Sequence, residues 1–231
     1  LDFVESLADV TGLPVGIKSA VGDAGFWDRL AERMATTGRG VDFITIDGGE
    51  GGTGAAPLVF SDHVALPFKL AMATVYRAFH ERGLQHEVVF VGSAKLGLPA
   101  PALLAMSLGC DLIHVAREAM LAIGCIQAQR CHSGHCPAGI ATQSRWLAHG
   151  LDPTSKAERA ASYLIALRKD MLKLCHALGL PHPAHVTPDD FEILDGRFGT
   201  SSPRELFDYE PGWGRPAEDD LATVTPPVRS T

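Results

Sequence analysis

The chain has 231 residues, 46% of them hydrophobic and 20% charged, and a formal net charge of −7. That composition belongs to an ordinary globular protein, and the length suits one domain or two small ones. No run of Lys and Arg offers a surface to nucleic acid or anionic lipid, and no apolar stretch approaches the roughly 18 residues that span a bilayer.

The opening LDFVESLADV is acidic and lacks the basic start of a secretory signal, so a cytoplasmic location is expected. Its first residue is Leu rather than Met, which suggests a piece of something longer. Four short runs rich in Val and Ile follow: LPVGIKSAVG (13–22), VDFITIDGG (41–49), EVVFVGSAK (87–95) and CDLIHVARE (110–118). Each ends in Gly or polar residues, and together they predict strands of a parallel sheet buried on both faces. Helical patterns lie between them. AGFWDRLAERMATTG stops at Gly38, SDHVALPFKLAMATVYRAFHERG starts on a capping Ser or Asp and stops at Gly83, and APALLAMSLG stops at Gly109. The alternation predicts an α/β fold of four βα units. After Thr142 the pattern changes to one long helix over 154–179. From about Leu180 a Pro-, Asp- and Gly-rich extended tail follows, with its last dozen residues expected to be disordered. The natural division falls between 1–150 and 151–231.

Four parallel units can form an open doubly wound sheet or half of a TIM (β/α)8 barrel. Gly-rich and polar residues at the C-terminal ends of all four strands favour the barrel, whose active sites lie there. IDGGEGGTGAAP (46–57) has five glycines in seven residues, enough for the backbone to approach a ligand closely; a long connection would look similar. No Gly-Lys-Ser/Thr follows, so it is not a Walker loop. Lys18 ends the first strand run, where it either snorkels into solvent or places a fixed charge in a site. Gly92 and Ser93 after the third strand, and Ala116 with Arg117 after the fourth, suit anion-binding turns as well as ordinary ones.

Five cysteines are present, and three crowd into GCIQAQRCHSGHCPAG (124–139) as Cys125, Cys131 and Cys136. The odd count argues against a disulfide framework. Zinc is a rival, yet the spacing lacks the short knuckle of a finger. A Cys–His nucleophile pair leaves two thiols unexplained. Iron–sulfur ligation accounts for all three, and a Cys-Pro ending recurs in such runs. Three ligands suit a three-iron cluster, or a four-iron cluster with an outside ligand. Cys110 and Cys175 read as small buried hydrophobes.

The order DGGEGGTGAAP, GSAKLG, AIGCIQAQRCHSGHCPAGIATQ resembles the FMN-binding synthase domain of the glutamate synthase family. The wording is nearest the short members without an amidotransferase domain, and the likeness runs from about Leu1 to Gly179. It implies the C-terminal half of a TIM barrel carrying FMN, with a 3Fe-4S cluster on Cys125, Cys131 and Cys136. Such enzymes reduce 2-iminoglutarate, formed from 2-oxoglutarate and ammonia (free or glutamine-derived), to L-glutamate. Electrons arrive from an NADPH-oxidising partner subunit or ferredoxin through the cluster. By position, Lys18 resembles the lysine near flavin and substrate. Glu50, Gly51, Gly52, Thr53 and Gly54 match the loop over both, with Lys18 and Glu50 in catalytic roles, and Gly92 and Ser93 match the phosphate turn. Where the family has Gly-Thr-Gly this chain has Ala116-Arg117-Glu118, which implies that Arg117 shares the flavin phosphate. The missing N-terminal half of the barrel is then an implied partner, and the piece alone is expected to be inactive. Another FMN-barrel oxidoreductase, an N-methylglutamate-type synthase subunit, or a non-catalytic electron-transfer or assembly subunit would share these motifs.

Overall fold

The computed structural model describes residues 1–51, 58–60, 62–194, 196 and 198–225. The chain opens with helix α1 (Asp2–Thr11) and then alternates β1 (Gly16–Ala20), α2 (Ala24–Thr37), β2 (Phe43–Asp47), α3 (Phe68–His80), β3 (Val89–Ser93), α4 (Pro99–Ser107), β4 (Leu112–His114) and α5 (Arg117–Ala122). All four strand runs and the helices between them stand where the periodicity puts them, except at the start of α3. The strands pair in parallel in the order β1-β2-β3-β4. Doubly wound sheets reverse their strand order at a switch point, whereas barrels are wound in sequence. The unreversed order therefore makes this fold a partial (β/α) barrel.

One face of the sheet is the main core. Ile44, Ile46 and Phe90 are fully buried there together with Trp27, Met72, Val75 and Phe79 from α2 and α3. Burying side chains of this size stabilises by about 1.5–3 kcal/mol each. The other face is only partly covered. Thr45 and Val91 are buried, but Val89 and Leu112 are 42% and 57% exposed. The expectation of strands buried on both faces thus fails at these positions, which the described residues leave uncovered.

Helix α3 begins at Phe68, not at the Ser or Asp expected to cap it six or seven residues earlier. Pro67 explains the shift, since the residue before a proline is disfavoured in helical conformation. Asp62 and Ala65 also have positive φ, 64° and 79°. The capping role passes to Glu50, whose Oε2 accepts the Phe68 N–H at 2.8 Å.

Beyond the Cys segment come α6 (Arg145–Ala148) and the expected long helix, α7 (Pro153–Ala177). Asp152 caps α7, and Leu167, Met171 and Cys175 on one of its faces pack with Ala102 and Leu103 of α4. The region read as an extended tail is instead a docked strap. It holds a small antiparallel pair, β5 (Ile193–Leu194) and β6 (Thr200–Ser201), then α8 (Pro203–Leu206) and α9 (Glu218–Val224). Thus α9 occupies part of the stretch expected to be disordered. Tyr209 is buried, donates to the Leu108 carbonyl at 3.0 Å and stacks on Tyr76, whose hydroxyl accepts the Gly214 N–H at 2.9 Å. Gly214 sits against the Ser107 carbonyl at φ 82°, leaving no room for a Cβ. Sparse tail-like composition hid these anchors: a few aromatics bind the strap where hydrophobic periodicity is absent.

His80 stacks on Trp213 at a centroid separation of 4.3 Å. Burial, reinforced by His86, lowers its pKa, and Glu210 and Glu81 oppose that only in part. The unfolded chain therefore binds this proton more readily, so the strap's contribution is complete above the ordinary histidine value of about 6.5 and is lost as pH falls below it. We expect the Gly214 N–H to exchange faster as pH falls from 7 to 5, beyond the intrinsic pH trend. In His80→Phe this excess should vanish, as read by hydrogen–deuterium exchange.

Candidate active site

The parallel register brings the C-terminal ends of all four strands to one rim. Lys18 lies beside Thr45, Asp47 between Ala20 and Ser93, and His114 beside Ser93. Alternation puts Lys18, Asp47 and Ser93 on the face opposite Ile44, Ile46 and Phe90, which is the lumen face of a barrel. Lys18 Nζ is 3.2 Å from Asp47 Oδ2, and the Ser93 hydroxyl donates to Asp47 Oδ1 at 2.8 Å. The strand-end lysine therefore points to a polar rim and does not simply stand in solvent.

A second group of charges ties the loops together above this row. Asp62 Oδ1 accepts the Gly51 N–H at 2.6 Å and pairs with Lys95 Nζ at 2.9 Å. These contacts, the Gly51 hydrogen bond first and Arg117 at longer range, hold the Asp62 carboxyl below its usual range. Arg117 opens α5 and reaches towards Gly51. One carboxylate thus sits among Lys95, Arg117 and a backbone N–H, the donor set that a phosphate or carboxylate ligand needs. This chemistry fits an anionic, phosphate-bearing cofactor such as FMN.

The other expected residues have definite places. Gly51 lies in this network. Gly92 faces the core side, where an added Cβ would come within 2.9 Å of Leu96 and Phe68, so packing alone demands a glycine there. Ser93 directs its hydroxyl to Asp47. Ala116 precedes α5 as its N-cap. Gly52, Thr53 and Gly54 lie outside the described residues. Asp47 and Lys95 are not marked by the sequence, and Asp62 is marked there only as a possible helix cap. Asp47 ended a strand run and Lys95 a turn, and nothing in their spacing marks the pairs they form.

Cys125, Cys131 and Cys136 follow α5 on one irregular segment. Among the described residues, no three His, Cys, Asp or Glu side chains converge to hold a metal ion. Cys136 nevertheless has the surroundings of a thiolate. Burial would raise its pKa, but the backbone N–H groups of Ala141, Ile140, Ala138 and Gly139 outweigh that and lower it. Successive N–H groups that favour a charged sulfur act on it as an anion-binding nest would. Cys110 and Cys175 are buried, and desolvation pushes both thiols up.

A sequentially wound partial barrel with cations and N–H donors at the strands' C-terminal rim defines a class, the (β/α) barrels with a charged strand-end mouth. The particular family follows from comparison: a family model described as a conserved region in glutamate synthase matches residues 1–181, and the chain belongs to that family. Bacillus subtilis glutamate synthase large subunit-like protein YerD is 39% identical over 82% of this chain and 36% of its own length. The archaeal NADPH glutamate synthase of Methanocaldococcus jannaschii is 40% identical over 77% of this chain and 34% of its own. The chain therefore spans about a third of these relatives' length. A solved structure of a point mutant of flavocytochrome b2 with benzoylformate shares the fold at a TM-score of 0.51. It is 16% identical and covers 91% of this chain, which covers 43% of it. The strap from about residue 182 onward lies beyond the family match.

Thiol reactivity follows from these environments. A small alkylating reagent at pH 7 should label Cys136 at least about tenfold faster than Cys110 or Cys175, since the thiolate is the reactive form. Peptide mass spectrometry reads the rates, and labelling of Cys110 first would contradict the nest at Cys136.

Proposed function

We propose that this chain supplies half of the FMN-binding barrel of a glutamate synthase-type oxidoreductase that reduces 2-iminoglutarate, formed from 2-oxoglutarate and ammonia, to L-glutamate. The observation that carries the reading is the cation set Lys18, Lys95 and Arg117 at the C-terminal rim, where a flavin phosphate and a dicarboxylate both need positive partners. FMN, when bound, supplies the hydride. The protein supplies orientation and electrostatics.

Lys18 presents a fixed ammonium on the lumen face, able to hold a substrate carboxylate and to offset negative charge that builds in the transition state. Arg117 and Lys95 would take the phosphate, with Asp62 withdrawing as the ligand anion replaces its carboxylate. Glu50, expected to be catalytic, caps α3 in this structure and so fixes the start of the Gly-rich loop. Gly51 donates its N–H within the same network, and Gly52, Thr53 and Gly54 continue the loop in sequence. Electrons would come from an electron-donating subunit or ferredoxin.

The proposed 3Fe-4S cluster rests on the spacing of Cys125, Cys131 and Cys136 and on the N–H nest at Cys136. The three side chains do not converge as a finished ligand set, so no electron path is derived through them. Anaerobic reconstitution of the intact gene product with iron and sulfide should give the visible absorbance of an iron–sulfur chromophore. Ser at any one of the three positions should abolish it, and Ser at Cys110 or Cys175 should not. Stoichiometric zinc without that absorbance would sink this part of the reading.

The barrel reading stands or falls separately on Lys18→Met, which keeps side-chain length and removes the charge. Losing one preorganised charge contact costs on the order of 2–4 kcal/mol of transition-state stabilisation. At about 1.4 kcal/mol per decade, turnover of iminoglutarate in the holoenzyme should fall roughly thirty- to thousand-fold with folding intact. Unchanged turnover and an unchanged flavin midpoint potential would return Lys18 to a plain strand-end residue.

A further inference from the structure

Lysine has a flexible four-carbon stem, and its ammonium is strongly hydrated. Lys18 stands on an outer strand with its side chain 54% exposed, so the strand alone does not decide where the charge sits. Among the described residues its ion-pair partner is Asp47, itself 38% exposed. A pair this open adds little to stability, so stability does not account for it.

We propose that Asp47 is the positioning residue of Lys18, and that Ser93 in turn positions Asp47. The inference deepens the flavin-barrel reading above and rests on it. The two carboxylate oxygens have separate partners: Oδ1 accepts from Ser93 Oγ at 2.8 Å, and Oδ2 faces Lys18 Nζ at 3.2 Å. A carboxylate held at both oxygens has one orientation about its last torsion, and that orientation aims Oδ2 at the ammonium. The ladder builds this in. Ser93 is directly opposite Asp47 on β3, within reach of a short hydroxyl, whereas Lys18 is one same-face step down β1 and reaches Asp47 diagonally. His114 is the next member of the row, beside Ser93 on β4. Asp47 therefore acts through Lys18 and need not touch ligand itself.

Two readouts on the FMN-loaded intact protein test this. The first is the acylation rate of Lys18, followed by peptide mass spectrometry. The second is affinity for sulfite, whose lone pair adds to oxidised flavin, so that the ring carries negative charge that a nearby cation stabilises. Asp47→Ala frees the ammonium to swing into solvent. Lys18 acylation should rise, and sulfite affinity should fall, each by roughly tenfold, the scale of one charge-assisted contact. Ser93→Ala should move both in the same direction by less. In a Lys18→Met background, Asp47→Ala should leave sulfite affinity unchanged, because Asp47 has nothing left to position. If Asp47→Ala does not fold, Asp47→Asn, which keeps the shape, carries the same expectations at smaller size. An unchanged Lys18 acylation rate, a rise in sulfite affinity, or a sulfite effect that persists in Lys18→Met overturns the inference while leaving the barrel reading intact. No sulfite effect in Lys18→Met itself overturns both.

Discussion

The structure depends first on the parallel, unreversed pairing of four strands. In a parallel ladder every strand ends on the same side, so each βα turn delivers its residues to one rim. Lys18, Asp47, Ser93 and His114 come from four different strands, yet register alone sets them in two adjacent layers of one face. Asp62 and Lys95 reach the same rim from loops, and Arg117 from the start of α5. No single segment of sequence contains the site.

This explains what the sequence disclosed. Strand runs and helices were legible because a sheet packed under helices demands apolar residues at periods of 2 and 3.6. Lys18 stood out because a charge inside an apolar run needs an account. Asp47 did not, since an acid at a strand end before glycine is ordinary; its importance lies in partners 29 and 46 residues away, which only the register supplies. The start of α3 was misread for a local reason. Ser and Asp are favoured caps, but Pro67 and two residues with positive φ delay the helix, and a carboxylate from the preceding strand's loop takes over the cap. The strap differs from the expectation because its hold comes from a few aromatics and from two hydrogen bonds between tyrosine hydroxyls and backbone groups, with no period to detect.

The cysteine segment separates what spacing can establish from what geometry can. Spacing identified three thiols that share one short loop. The surroundings add that at one of them, Cys136, the backbone N–H groups of Ala141, Ile140, Ala138 and Gly139 lower the pKa against the penalty of burial. A ligand thiolate needs such stabilisation whatever ion it meets, because the charged sulfur must survive desolvation. Cys110 and Cys175 have the opposite environment, apolar and without those donors, and behave as the small hydrophobes their runs suggested. The division between Cys136 and these two thiols is thus a division of backbone donors.

Charge balance at the rim follows the same logic on a larger scale. The chain carries a net −7, which would repel a dicarboxylate or a phosphate at long range. Within the roughly 8–10 Å over which charges act through salt solution, local arrangement decides instead. Two of the three rim cations are paired with an acid of their own, Lys18 with Asp47 and Lys95 with Asp62. The two pairs differ in what holds the acid. Asp47 belongs to a strand and is fixed by Ser93 across the ladder, so it stays when a ligand arrives. Asp62 belongs to a loop, at a left-handed φ of 64°, and is bonded to another loop residue, so an incoming anion can replace it without disturbing the sheet. A strand-borne acid therefore suits holding a cation in place, and a loop-borne acid suits keeping an anion site filled until its ligand comes.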